Sequence, residues 1–173
     1  IVLLPIFAQK YSKELKNRLT DSLSTNIEYV RNWCEEEIKK GEKEPFVYSL
    51  DALCSTQLNN YEDYVDKITL ALKYCKKDKD LSPSALYYMR GLGYLALNDE
   101  KAALKDFNKS IKLDPDLLDP YKERVEIYFK NGKYELALND IKKIIGAEPT
   151  YVNVLLLARY NIFIGNIEFA FND

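Results

Sequence analysis

The chain has 173 residues, with 25 Lys and Arg against 27 Asp and Glu, 47% hydrophobic residues and no histidine. A net charge of -2 offers no basic field for a phosphate backbone, and the lack of histidine removes sites of the Ser/His, Cys/His and HExxH kinds. A single compact domain of this length would bury roughly 70% of the surface its unfolded chain exposes, so a core is possible without disulfides or metals.

Residues 1–8, IVLLPIFA, are all apolar and too few to cross a bilayer. They read as the remnant of a signal peptide that closes on the small residue Ala8, with Gln9 beginning the mature chain. That reading implies an extracytoplasmic location, periplasm or cell surface. Taken instead as an ordinary buried segment, the run leaves the chain cytoplasmic. Residues 9–44 carry two helical patterns: Leu15, Leu19 and Leu23 recur at spacing four, followed by Ile27, Val30, Cys34 and Ile38. Ser12 and either Thr25 or Asn26 are the expected N-caps, and the pair is expected to be a divergent repeat or cap.

Glu35, Glu36 and Glu37 are followed by Lys39 and Lys40, which suits a solvated helix face with internal ion pairs better than a cation site. Trp33 is expected in a core or half-buried position. Cys34, Cys54 and Cys75 form no CxxC pair, so zinc and redox motifs are absent and the thiols are expected to be small buried side chains.

From residue 45 onward the chain repeats itself. Tyr87 and Tyr121, Arg90 and Arg124, Tyr94 and Tyr128, Ala103 and Ala137, Leu104 and Leu138, Asp106 and Asp140, and Pro115 and Pro149 are pairs of like residues in one register, each 34 positions apart. Residues 84–117 and 118–150 are the clear units. Residues 45–78 are a divergent copy that keeps Tyr48, Ala52, Tyr61, Ile68 and Ala71 but places Tyr64 where Ala is usual, and an excess including Asp78 to Leu81 follows it. Residues 151–173 read as a truncated copy with Ala158, Gly165 and Ala170 in place. Each unit is expected to be two amphipathic helices joined by a tight turn at LNDE or KNGK. Asn98 and Gly132 would take the left-handed conformation there. Gly91 to Gly93, GLG, follow no strand and do not make a phosphate loop.

The segment SALYYMRGLGYLALNDEKAALKDFNKSIKLDP resembles the tetratricopeptide repeat family through Tyr87, Gly91, Tyr94, Ala103, Phe107 and Pro115. The next unit repeats that pattern, departing at Val125 and Ile141. The resemblance implies an all-α fold: a tetratricopeptide-repeat α-solenoid, a right-handed superhelix of antiparallel helix pairs with the first helices lining a concave face. Ala103 and Ala137 would then mark the close crossing of the two helices within a unit.

The family's inward positions fall on Phe46, Ser49 and Leu53, on Tyr88, Leu92 and Leu95, on Lys122, Glu126 and Phe129, and on Leu155, Arg159 and Ile162. Of these, Leu53, Tyr88, Leu92, Leu95, Lys122, Glu126, Phe129, Leu155 and Arg159 are the expected partner-binding residues. Apolar anchors with a few charges suit an extended or helical peptide. The family's clamp for chaperone C-terminal carboxylates is matched only at Lys122, and Glu126 would repel a carboxylate, so that partner is not expected. The resemblance implies a non-catalytic adaptor that binds a protein or peptide, with no cofactor, no nucleic acid and no integral membrane segment in the mature chain. The alternative is the sensory or regulatory region of a longer signalling protein or enzyme whose output domain lies beyond residue 173.

Overall fold

A computed structural model describes residues 11–75 and 82–171 of the chain. The apolar run 1–8 and most of the linker after residue 75 therefore lie outside the described residues. Among the described residues the elements are all helices: α1 (Lys13–Thr25), α2 (Ile27–Lys39), α3 (Pro45–Gln57), α4 (Tyr61–Cys75), α5 (Pro83–Ala96), α6 (Glu100–Leu113), α7 (Asp119–Lys130), α8 (Tyr134–Ala147) and α9 (Tyr151–Phe171). None of them is long and apolar enough to cross a membrane. The chain divides into two compact units, Ile1–Asp106 and Phe107–Asp173.

The ends of the helices follow from local chemistry. The Ser12 hydroxyl accepts from the Leu15 amide at 3.2 Å and the Asn26 side-chain oxygen Oδ1 accepts from the Tyr29 amide at 3.0 Å, so Asn26 rather than Thr25 caps α2. Pro45 and Pro83 open α3 and α5, where a missing amide hydrogen costs nothing. Asn98 and Gly132 take φ of 61° and 68° in the expected turns, and Asn59 does the same at 54° between α3 and α4. α6 and α8 stop two residues before Pro115 and Pro149.

In the first unit α1 packs on α2, α2 on α3, α3 on α4 and α4 on α5. Leu19, Val30, Cys34, Phe46, Leu50, Ile68 and Leu86 are sealed in their shared core. Trp33 sits half-buried, its ring edge-on to Tyr11 at 5.4 Å. In the second unit α7 packs on α8 and α8 on α9, with Val125, Ala137, Ile141 and Ile144 wholly buried. Ala103 and Ala137 are fully buried at the places the repeat pattern assigns to close crossings. Ala103→Trp should therefore overpack the crossing and cost about 1 to 3 kcal/mol in a denaturant titration. Lys105→Trp, on the exposed side of α6, should change stability little.

A buried ion pair recurs between the two helices of a repeat, always sixteen residues apart. Arg90 of α5 grips Asp106 of α6 with two parallel hydrogen bonds, Nε to Oδ2 at 2.7 Å and Nη2 to Oδ1 at 2.9 Å. Its remaining Nη1 reaches Thr69 of α4 at 3.2 Å, and the rings of Tyr87 and Tyr94 flank the guanidinium. Arg124 of α7 holds Asp140 of α8 in the same way, with Asn108 as its third contact and Tyr121 and Tyr128 beside it. The divergent repeat keeps the pair but reverses it. Asp51 of α3 takes the arginine's place, and Lys67 of α4 takes the aspartate's, with Nζ 3.0 Å from Asp51 Oδ2. Lys67 also reaches Asp63 at 2.7 Å. The Asp51 carboxyl is buried, and its Oδ1 has no hydrogen-bond partner.

Tyr64, in the usual alanine position, is accommodated by a second departure. Gly93 of α5 faces it so closely that a Cβ there would lie 2.7 Å from Tyr64 Cδ1 and 2.7 Å from Val65 Cγ2. The Tyr64 hydroxyl crosses to α5 and donates to the Met89 carbonyl at 3.0 Å. Burial, with a smaller push from Tyr88, holds its pKa well above the ordinary phenol value.

The last repeat differs from expectation. α9 runs unbroken from Tyr151 to Phe171 and passes through Gly165, the position where Gly132 breaks the preceding unit. A glycine permits a left-handed turn but does not impose one, and inside a helix it costs only about 1 kcal/mol relative to alanine.

Candidate partner-binding surface

The inward positions of the first helices separate into buried and accessible sets. Phe46 and Ser49 are sealed in the core, where the Ser49 hydroxyl donates to the Pro45 carbonyl at 2.8 Å. Tyr88, expected as an anchor for a partner, is only 8% exposed. It lies in the first unit within electrostatic reach of Tyr64 of α4. Leu53 and Leu92 remain half-buried and share an apolar recess of about 210 Å³ on the first unit, with Thr56, Tyr61 and Met89 around them. Leu95 is half-buried elsewhere on α5.

The second unit brings four expected residues together. Lys122, Glu126, Leu155 and Arg159 line one groove of about 430 Å³ between α7 and α9. α7 supplies its charged wall, while Val152, Leu155 and Leu156 of α9 supply the apolar one. Val152 is 73% exposed and Leu155 47%, so much of that wall faces solvent. Thr150 and Asn153 fix the start of α9: the Thr150 hydroxyl accepts from the Asn153 amide at 3.3 Å, and Asn153 Nδ2 donates to the Glu148 carbonyl at 2.8 Å.

Both cations of the groove are engaged. Lys122 Nζ lies 3.1 Å from Asp119 Oδ1, and Arg159 Nη2 lies 3.7 Å from Glu126 Oε2. Both pairs are well exposed, which makes them weak and exchangeable. Glu123, between them on α7, was not among the inward positions read from the sequence. It lines the groove and is half-buried. Burial, with Asp119 and Glu126 adding like charge, raises its pKa. The sequence held one signal for it: Asp119, Glu123 and Glu126 recur along one side of α7.

Phe129, the remaining expected anchor, is committed within its own unit. Its ring packs edge-on against Tyr134, Tyr160 and Phe163 at centroid distances of 6.0, 5.3 and 5.7 Å. Beyond this cluster Leu155, Ala158, Arg159, Ile162 and Phe163 line an open shallow surface of α9. The described grooves and surfaces of both units offer apolar packing, and that of the second unit charge pairing as well. The three thiols are buried, and burial raises Cys34 strongly and Cys54 up to about 11, the opposite of a nucleophilic cysteine. Among the described residues no group of His, Cys, Asp and Glu is arranged to hold a metal ion.

Comparison with known proteins places this geometry. The tetratricopeptide repeat family matches residues 84–117. DnaJ homolog subfamily C member 3 from Homo sapiens is 34% identical over 73 residues, 42% of this chain and 14% of that protein, so the matched part is a small fraction of the relative. Among solved structures, the crystal structure of the APC/C hetero-tetramer Cut9-Hcn1 superposes with a TM-score of 0.68 at 15% identity, over 84% of this chain and 28% of that one. The crystal structure of MamA superposes with a TM-score of 0.67 at 14% identity, over 82% and 78%. The 34-residue period, the helix pairs it produces and these likenesses agree: residues 84–117 are a tetratricopeptide repeat, and the chain has the all-helical repeat fold.

Proposed function

We propose that the chain is a non-catalytic scaffold that binds a partner polypeptide through the first-helix faces of its repeats, chiefly at the groove between α7 and α9. The observation that carries this reading is the composition of that groove: solvent-facing Val152 and Leu155 opposite a charged helix, in a trough whose walls are two preformed helices. Rigid walls order little on binding, so less of the contact energy is lost to conformational entropy. The recess at Leu53 and Leu92 on the first unit offers a smaller apolar foothold of the same kind. A scaffold role also fits the family, and the buried thiols supply no competing chemistry.

Affinity capture from the cells that make the protein, with quantitative mass spectrometry, tests this. Leu155→Glu on the groove should deplete specific partners, whereas Lys105→Glu on the exposed side of α6 should retain them, both with unchanged helicity by circular dichroism. Equal recovery by native protein and both variants would remove the groove from the binding surface. The regulatory-region reading keeps one support, that the matched repeats form only 14% of the human DnaJ homolog. An output domain encoded in the same reading frame would favour it.

A further inference from the structure

One carboxylate of the groove between α7 and α9 is left without a counter-charge. Of the cations that line it, Lys122 is paired with Asp119, which lies outside the lining, and Arg159 with Glu126. Glu123 has neither a hydrogen bond nor an ion pair among the described residues, although it is half-buried beside the apolar wall. The charges that act most on it are Asp119 and Glu126, both of its own sign. A carboxylate withdrawn from water with no partner is costly, and a cation brought to it from outside recovers that cost.

We infer that the groove takes a polypeptide segment carrying a lysine or arginine next to an aliphatic or aromatic side chain, the cation pairing with Glu123 and the apolar group lying on Val152, Leu155 and Leu156. The inference rests on the scaffold reading and names its partner class. Glu123 of α7 and Val152, Leu155 and Leu156 of α9 line the same trough. An acidic segment fits poorly. Its carboxylates would meet Glu123 and Glu126 in the lining and would compete with Asp119 and Glu126 for Lys122 and Arg159. The basic residue thus supplies selectivity, and the apolar neighbour most of the contact area.

Selection from a phage-displayed library of random dodecapeptides against the intact chain tests this, with the winning peptides resynthesised and their affinities measured by calorimetry. Winners should carry Lys or Arg beside an apolar residue, and replacing that cation with norleucine should weaken binding about tenfold on the native protein. On Glu123→Gln, an isosteric change, the same replacement should have little effect, so that the two losses are coupled rather than additive. Binding of every winner should be lost on Leu155→Glu. Winners that lack a basic residue yet depend on Leu155 would overturn the inference and leave the scaffold reading standing. A library that yields no binder, or binders indifferent to Leu155→Glu, would overturn both.

Discussion

Replacing Lys67 with methionine is expected to lower the unfolding free energy by about 3 to 5 kcal/mol, read as a shifted midpoint with unchanged slope in a urea titration. The size follows from what the substitution leaves behind. Lys67 stands between Asp51 at 3.0 Å and Asp63 at 2.7 Å, and the Asp51 carboxyl is sealed in the core with one oxygen already unsatisfied. Burial by itself raises Asp51, and Lys67 is the main opposing pull. Without the ammonium, Asp51 must take up a proton or remain buried as an unpaired charge. Asp51→Asn in the same background should recover part of the loss, because the residue left without a partner is then neutral.

The pair also sets a pH dependence. Burial by itself would lower the Lys67 pKa, but Asp63 and Asp51 together outweigh it and raise the value above that of a free lysine. The folded state therefore holds this proton more tightly than the unfolded chain does. Its contribution is complete below the ordinary lysine pKa and is lost as pH rises through the raised folded value. Native protein should lose stability across that alkaline window more steeply than the Lys67→Met variant.

Gly93→Ala should destabilise the first unit by about 1 to 3 kcal/mol, although the same exchange in an unobstructed helix is favourable. The new methyl group would meet the Tyr64 ring and Val65 at 2.7 Å, closer than packed carbon atoms approach, so these side chains or the helices that carry them must shift. Gly146→Ala is the internal control. It sits in α8 with nothing within 4 Å of its would-be Cβ, and it should gain up to about 1 kcal/mol through the lower entropy of the unfolded chain. Opposite signs for one chemical change on two helices would show that proximity to Tyr64, and not helix propensity, fixes Gly93. Equal gains at both sites would refute the close approach. Combining Gly93→Ala with Tyr64→Ala should cost less than the sum of the two separate losses.

The repeats were readable because their marker residues answer to packing inside a single unit. Ala103, Phe107 and Ala137 are buried where the 34-residue period puts them, and Asn98 and Gly132 turn the chain where it requires. Arg90, Arg124, Asp106 and Asp140 were visible as matched positions, but their bonding was not, because the period records recurrence and not which side chains meet. The divergent repeat hid the same pair because its charges are exchanged.

Lys122, Glu126, Leu155 and Arg159, read from single helix faces, line one groove in the structure. Tyr88 is buried and Phe129 packs in a cluster that includes Phe163 of α9, contacts between helices that no pattern along one helix records. Glu123 was passed over because its importance lies in the partners it lacks, and no pattern along one chain shows that the nearby cations are already engaged.

The reversed pair in the divergent repeat bears on how the chain finds its fold. A repeat protein can pair the first helix of one unit with the second helix of another, since neighbouring units offer similar apolar stripes. In this chain such an exchange is marked by charge. Pairing α3 with α6 in the manner of one repeat would set Asp51 against Asp106, like charges meeting in a buried seam. The reversed polarity thus disfavours pairing α3 with the second helix of either regular repeat, whereas those two repeats share one polarity with each other.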